Sequence, residues 1–509
     1  MDRIVAIDSG LTVTKAVIFD LTGKELAVAT RTVPKIQPTP RHVERDMLHL
    51  WQQTAQAIRE VLSTSGTDAS RVVAVAATAH GDGLYLLDRS SNPLGHGILS
   101  LDSRAVDLVN NWQSAGVHAQ ALTLTGQEPH VSAPSALLSW IRENEPDRFA
   151  QIGHVLSCKD WLSYCFTGYI GSDRTESSTS FCDVKTQAWS TQALALYGLS
   201  ESEHALPTVA HSAEQVGTIT QQAAAVTGLA PGTPVAAGLH DVTASALGIG
   251  AHCPDVVGIV AGTYAINECV SAAPQIDSGW FCRNAIDPGV WNNMAISPAS
   301  TTNYNWFLDT LCSAEQADEG PDIHAMLSSE IEAALTRPSS ILYHPYLYGS
   351  PMGALPSAGF LGLRGWHKRG DLLAAVLEGI VFNHRQHIDS LREHFNCSTA
   401  RLTGGASRNP AVAQLFADIL NMPVTVTDTD EAAARGAALC AGAAVKVFER
   451  FDKDPQDLLA DACTYTPQSE RVAHYTQRYR VYREAGEALS DIWNKLDNLA
   501  GLARQGNHG

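Results

Sequence analysis

At 509 residues the chain is too long for a single core, and 45% hydrophobic against 17% charged residues describes a packed globular protein of two or more domains. Its formal net charge of −18 argues against nucleic acid or an anionic membrane as a main partner. No apolar run approaches the roughly 18 residues that span a bilayer, no signal peptide precedes the first strand-like run, and the ten cysteines include no CxxC pair, so a cytoplasmic protein with reduced thiols is expected.

The apolar runs Ile4 to Ile7 and Ala16 to Phe19 are joined by Asp8-Ser9-Gly10-Leu11-Thr12-Val13-Thr14-Lys15, which reads as a β-hairpin. Leu21 to Lys24 then turns the chain into a third strand-like run, Glu25 to Thr32. Met47, Leu50, Trp51, Ala55, Ile58 and Leu62 recur at helical spacing, and Asp46 is placed to cap that helix. Residues 71–77 read as a buried strand. After the strand-like Val235 to Gly238 come His240 and Asp241, then a short helical pattern through Val242, Ala246 and Leu247.

The second half opens as the first does, with Val256 to Val260 and Ala265 to Val270 flanking Gly262-Thr263. A long helix over 371–395 follows, then a strand into Leu402-Thr403-Gly404-Gly405 and a helix over 410–420. A strand over 424–426 and a helix over 431–445 come next. Equivalent openings imply a duplicated α/β domain facing a cleft, with its seam near 242–256. From Val472 to Leu499 apolar residues repeat every three or four positions, a long amphipathic helix that packs on the second domain or, alternatively, forms a homodimer contact.

Several of these turns suit phosphate and sugar chemistry, and each also has a plain conformational reading. The Asp8–Lys15 turn is either an ordinary hairpin turn or a cradle in which backbone N–H groups and Thr12 hold phosphates, Lys15 adds charge and Asp8 orients Mg²⁺ or its water. It contains no GxxxxGK[ST] loop. Gly404 to Asn409 sits between a strand and a helix, where backbone donors meet an anion or a nucleotide unless the turn is merely tight. Asp241 is either a helix N-cap or a general base at the foot of a cleft. The polar islands around His80 and Asp82 and around Asp102 are turns singly, and together read as a pocket for a polyhydroxylated ligand.

The ordered set resembles the FGGY carbohydrate kinases, of the sugar kinase/actin/Hsp70 superfamily with its actin-like, ribonuclease H-like ATPase domains. The resemblance rests on Asp8 to Lys15, Glu44-Arg45-Asp46, Asp160-Trp161-Leu162 through Thr167-Gly168, Gly238 to Asp241, Gly359 to Leu363 through Glu378-Gly379, and Gly404 to Asn409 with Gln414. It implies an N-terminal sugar-binding domain over 1–248, a C-terminal nucleotide-binding domain over 249–509 and an interdomain cleft. It implies ATP and Mg²⁺ as cofactors, a small sugar or polyol as substrate, and Asp241 as the catalytic base. Asp8, Gly10, Thr12, Lys15, Gly262, Thr263, Asn305, Gly404, Gly405 and Asn409 fall at its ATP-binding positions, with Asp8 as metal contact. His80, Asp82, Asp102, His240 and Asp241 fall on the substrate side.

Leu11 and Val13 replace hydroxyl residues of the family's phosphate loop, Gly81 stands where the glycerol kinase branch has a glycerol-binding arginine, and Val242 where it has a glutamine. The stretch from Gly83 to Arg104 looks most like the L-xylulose kinase branch, whereas His80-Gly81-Asp82-Gly83 and Lys159-Asp160-Trp161 look like erythritol kinases. A ketopentose such as xylulose is the expected substrate, with erythritol or glycerol as the alternative. A non-catalytic sugar- and ATP-binding regulator or a chaperone-like ATPase is the reading from a different class.

Overall fold

The first turn forms as the spacing predicts. Arg3–Ser9 pairs antiparallel with Val13–Asp20, which sets Asp8 opposite Lys15, and Val13–Asp20 pairs in turn with Glu25–Thr32. The computed structural model describes residues 1–312, 323–351, 356–453, 455 and 458–506. It divides the chain into two compact units. The first takes 1–254, 270–294 and 429–460, and the second takes 255–269, 295–428 and 461–509. The chain thus returns to the first unit twice after the point where a single cut at 248/249 would leave it.

The sheet of the first unit runs Gln215–Thr218, Pro234–Ala236, Val72–Ala79, Arg3–Ser9, Val13–Asp20, Glu25–Thr32. Val72–Ala79 lies parallel to Arg3–Ser9, and Leu239–His240 also pairs with it in parallel. Its central strands are apolar on both sides because both faces are covered. On one face Val5, Ile7 and Ile18 pack with Leu50, Ile58 and Val61 of the helix Met47–Ser65 and with Leu162 and Phe166 of the helix Cys158–Thr167. On the other, Ile4, Ala6, Val17 and Phe19 pack with Leu247, Ala437 and Cys440. The first helix starts where Asp46 accepts from the His49 N–H and ends at the left-handed Gly66.

Two short-sided helices cover that second face. Asp241–Gly248 and Ala432–Ala444 approach so closely that a Cβ at Gly436 would lie 2.0 Å from the Ala244 carbonyl oxygen, and one at Gly248 would lie 1.9 Å from that of Ala432. Buried Arg435 ties them further, its Nη1 donating to the Gly248 oxygen at 2.9 Å. This contact is why 429–460 belongs with the first unit. Residues 270–294, which hold the strand Phe281–Asn284 and the first part of Trp291–Ser297, return for a similar reason: the Cys282 N–H donates to Gly126 O at 2.9 Å, and Trp291 Nε1 donates to Val184 O at 2.6 Å.

The second unit repeats the opening. Val256–Ala261 pairs antiparallel with Ala265–Ser271 and parallel with Thr399–Thr403, beyond which lie Val424–Val426 and Cys463–Tyr465. The long helix Arg369–Arg392 carries buried polar residues that find partners within the unit: Asn383 and His387 meet Ser297, and His384 meets Asn267. Burial pushes the His384 and His387 imidazoles down to about 3 and about 4, so both are neutral. The C-terminal helix Ser469–Gly506 packs on this unit through Tyr475, Tyr479 and Tyr482 against Phe382, and Arg478 bonds Glu378.

Gly436→Ala tests the helix approach. Alanine in an exposed helix interior would gain up to about 1 kcal/mol over glycine. Here the added carbon meets a backbone oxygen, and overpacking of about 1–3 kcal/mol outweighs that gain. The denaturant midpoint is expected to fall; a rise would show that the helices do not need this spacing.

Candidate active site

Asp241 is the first residue of its helix, and the cap is His240, whose Nδ1 accepts from the Val242 N–H at 3.3 Å. The capping alternative for Asp241 is thereby filled by its neighbour. The strand end that delivers both is pinned from below: the His240 N–H donates to Thr175 Oγ1 at 2.9 Å, Thr175 Oγ1 donates to Asp173 Oδ2 at 2.7 Å, and Thr78 Oγ1 donates to Leu239 O at 2.7 Å. The Asp241 side chain remains 31% exposed. Burial pushes its carboxyl up to about 7, the charges of Asp8 and Asp82 add to this, and the N–H groups of Val242 and Gly81 oppose it.

Beside it, the His240 ring fills the place of a side chain at position 81, since a Cβ on Gly81 would lie 1.6 Å from His240 Nε2. Burial pushes this imidazole down to about 4, so it is neutral. With Nδ1 accepting, the proton belongs on Nε2, which is buried and has no hydrogen-bond partner.

Asp82 adopts φ 56°, a left-handed conformation uncommon for a residue with a side chain. Burial alone would raise its carboxyl, but Arg283 and His130 hold it well below the usual carboxylate range. Arg283 Nη2 donates to Oδ1 at 3.0 Å, His130 Nε2 lies 3.5 Å from the same oxygen, and Arg283 Nε donates to Gln127 Oε1 at 2.8 Å.

The other two substrate-side residues are bonded within the protein. Asp102 is enclosed, its oxygens taken by the Arg104 side chain and N–H and by the Val43 N–H. His80 is buried with Nε2 3.2 Å from the Tyr85 hydroxyl, and burial pushes it down to about 3. The partners of both are near in the chain, Arg104 two residues after Asp102 and Tyr85 five after His80.

A charged cluster lies on the opening hairpin. Lys15 Nζ donates to both oxygens of Glu431 at 2.8 Å, and Glu431 directly precedes the helix Ala432–Ala444. Burial pushes the Asp8 carboxyl up to about 6, against the pull of Lys15 and with the push of Glu431. Gly10 and Leu11 carbonyls accept from fully buried Arg45 at 3.1 and 2.6 Å, which gives Glu44-Arg45-Asp46 its meaning: Arg45 braces the turn while Asp46 caps the next helix. Thr12 is exposed.

In the second unit, Gly262-Thr263 and Gly404-Gly405 follow adjacent parallel strands paired Val260 to Thr403. Gly404 is left-handed at φ 96°, and a Cβ there would meet the Ala261 oxygen at 2.5 Å. At Gly405 an added Cβ would meet no atom within 4 Å, so that backbone faces open space. Thr301 fixes the first turn by donating to Gly262 O from its N–H at 3.1 Å and its Oγ1 at 2.6 Å. Asn409 caps the helix Pro410–Leu420 and donates to Ser328, and Asn305 is exposed on the helix Thr302–Leu311.

The residues missed at the sequence level are Gln127, His130, Arg283 and Glu431, together with a buried ionic layer under the Asp241 strand end. In that layer Lys159 Nζ donates to Asp160 at 2.6 Å and to Ala237 O at 3.0 Å, and lies 3.3 Å from Asp173. Buried Glu176 has both oxygens unbonded, and burial, then the Asp160 charge, drives its carboxyl well upward. The signal for this layer was the polar run from Ser172 to Ser180, too long to be one turn. Among the described residues no group of three or more His, Cys, Asp or Glu is set to hold a metal, and no helix is long and apolar enough to cross a membrane.

Residues 3–248 match the N-terminal domain of the FGGY family of carbohydrate kinases, and residues 257–445 match its C-terminal domain. The chain belongs to the FGGY family. An L-xylulose/3-keto-L-gulonate kinase of Escherichia coli (strain K12) is 32% identical over 97% of this FGGY kinase and 98% of the relative. An erythritol kinase of Brucella abortus (strain 2308) is 28% identical over 97% and 98%. The solved xylulose kinase of Lactobacillus acidophilus shares the fold at TM-score 0.87, with 23% identity over 97% of this chain and all 100% of that one. The expected two-domain α/β sugar-kinase fold is therefore the fold of this FGGY kinase. The protein is a carbohydrate kinase, which sets aside the chaperone-like alternative.

The raised carboxyl of Asp241 fixes the sign of a stability effect. Its ordinary value is 3.8 and its folded value about 7, so between them the folded state holds the extra proton and stability falls as pH rises. Asp241→Asn should therefore raise the melting temperature at about pH 8, with the gain vanishing near pH 4. Thermal melts across that range check it; a gain independent of pH would mean Asp241 is not perturbed.

Proposed function

We propose that this kinase transfers the γ-phosphoryl group of ATP to a primary hydroxyl of a ketopentose of the xylulose type, with Asp241 as general base. The observation that carries the reading is the half-open Asp241 carboxyl, pushed up to about 7 beside an ionised Asp82 and an unpartnered His240 Nε2. A base poised near neutrality is what abstraction of an alcohol proton in the transition state requires. The 32% relative is named both for L-xylulose and for the sugar acid 3-keto-L-gulonate; the ketopentose is preferred here because ionised Asp82 belongs to the site, and a tetritol is the second reading because the 28% relative is named for erythritol.

Asp8, Gly10, Thr12 and Lys15 are the residues assigned to the phosphates, and Gly262, Thr263, Gly404, Gly405, Asn305 and Asn409 those assigned to the nucleotide. The open space at Gly405 and the bracing of the Gly262 turn fit a nucleotide lying on backbone. Mg²⁺, when bound with ATP, neutralises phosphate charge. Such an ion keeps most of its waters and needs only one or two protein carboxylates, for which Asp8 is the candidate. Glu431, the residue before the helix Ala432–Ala444, directs the Lys15 ammonium.

In the transfer, the substrate hydroxyl gives its proton to Asp241 while its oxygen bonds to the γ-phosphorus and the bond to the bridging oxygen of ADP breaks. Asp82 and His240 orient the remaining hydroxyls, which places the attacking one.

Asp241→Asn should lower sugar-dependent ADP release by about 10²–10⁴-fold while leaving nucleotide affinity in place. Turnover near the parent level would remove Asp241 from the mechanism. Gly405→Val should raise the KM for ATP with little effect on that for the sugar, because the new side chain fills open space rather than core. An unchanged KM for ATP would show that the nucleotide lies elsewhere.

A further inference from the structure

We infer that Arg283 is a positioning residue that sets substrate specificity: by pairing with Asp82 it fits the sugar site to an uncharged polyhydroxy chain and against a sugar acid. The inference rests on the reading of Asp82, His240 and Asp241 as the sugar-facing groups.

Arg283 lies on the strand Phe281–Asn284, about 200 positions from Asp82 in sequence, and its side chain is 2% exposed. It is bracketed on several sides. Nε donates to Gln127 Oε1 at 2.8 Å, and Gln127 Nε2 in turn donates to Ser178 O at 2.7 Å. The Phe281 ring lies 4.8 Å from the guanidinium carbon. A planar guanidinium held this way cannot swing toward an incoming anion without breaking charge-assisted bonds.

The bracket also orients Asp82. Arg283 and His130 both approach Oδ1, and among the described residues no hydrogen bond reaches Oδ2. The carboxylate side chain is 17% exposed, so Oδ2 is a fixed, charged acceptor open to hydroxyl protons. His240 Nε2 is the complementary neutral donor, suited to a hydroxyl or ketone oxygen. Such an acceptor and donor read alcohols and carbonyls.

A carboxylate would fare differently. The Arg283 charge is already matched by Asp82, and the ionised Asp82 carboxylate would face the newcomer, with Asp241 adding to the repulsion once it gives up its proton above about pH 7. Among Asp82, His240 and Asp241 none carries positive charge toward it, since His240 is neutral. Rejection of acids is thus built from repulsion as much as from fit. Removing the Asp82 charge while keeping its shape would leave Arg283 unmatched and invite the class that the parent refuses.

The test uses the purified full chain and sugar-dependent ADP release, with ketopentoses and pentitols compared against aldonates and keto-aldonates of the same length. The parent enzyme should favour the neutral class by at least about 100-fold in kcat/KM, the scale of a like-charge clash. Asp82→Asn should lose turnover of neutral sugars and shift the neutral-to-acid ratio toward acids by at least about 10-fold. Arg283→Leu should raise the KM for the neutral sugar more than it lowers kcat, and Arg283→Lys should restore part of the loss; thermal melts confirm that the variants fold. A parent enzyme that takes acids as well as neutral sugars overturns the inference without needing any variant, while leaving the kinase reading intact. An equal loss on both classes in Asp82→Asn overturns it as well. No sugar-dependent turnover with any member of either class would bring down the reading of the sugar site, and this inference with it.

Discussion

Two helices in the first unit touch backbone to backbone, and the chemistry of that unit hangs from this contact. Gly248 and Gly436 each leave room for the other helix's carbonyl oxygen, and no larger residue fits at either place. Asp241 begins one helix and Glu431 immediately precedes the other. The spacing therefore fixes at once the carboxylate proposed as base and the carboxylate that grips Lys15 on the opening hairpin. The sheet beneath, apolar on both faces, gives this pair of helices a floor.

Around that frame the balance between burial and partners decides what each carboxyl does. Asp82 and Asp241 share one neighbourhood, yet burial prevails at Asp241 and the Arg283 pairing prevails at Asp82. Environments that push two titratable groups apart are how one site obtains both a proton acceptor and a permanent anion. Lys159, Asp160 and Asp173 form a separate buried layer that holds the strand end leading to His240. Its bonds restrain backbone and do not engage the Asp241 side chain.

What the sequence made legible was local. Helix Met47–Ser65 with its Asp46 cap, the three opening strands and the helix Pro410–Leu420 follow from period and capping, and all form where the pattern places them. The meaning of Glu44-Arg45-Asp46 was hidden, because Arg45 acts on carbonyls more than thirty positions away. Arg283 and Glu431 were missed for the same reason: each is an ordinary residue in its own segment and gains significance only from a partner brought to it by the fold. His80 and Asp102 show the converse. Their partners, Tyr85 and Arg104, are near neighbours in the chain and within reach of local pattern. The return of 270–294 and 429–460 to the first unit likewise leaves no mark in composition.

The ring of His240 stands in space that any side chain at position 81 would need. These two positions, far apart in the gene, therefore behave as a single heritable character. A lineage acquiring a bulkier residue at 81 must first, or simultaneously, give up the imidazole at 240, and the reverse order meets a clash. Any change of pocket shape at 81 is therefore gated by position 240.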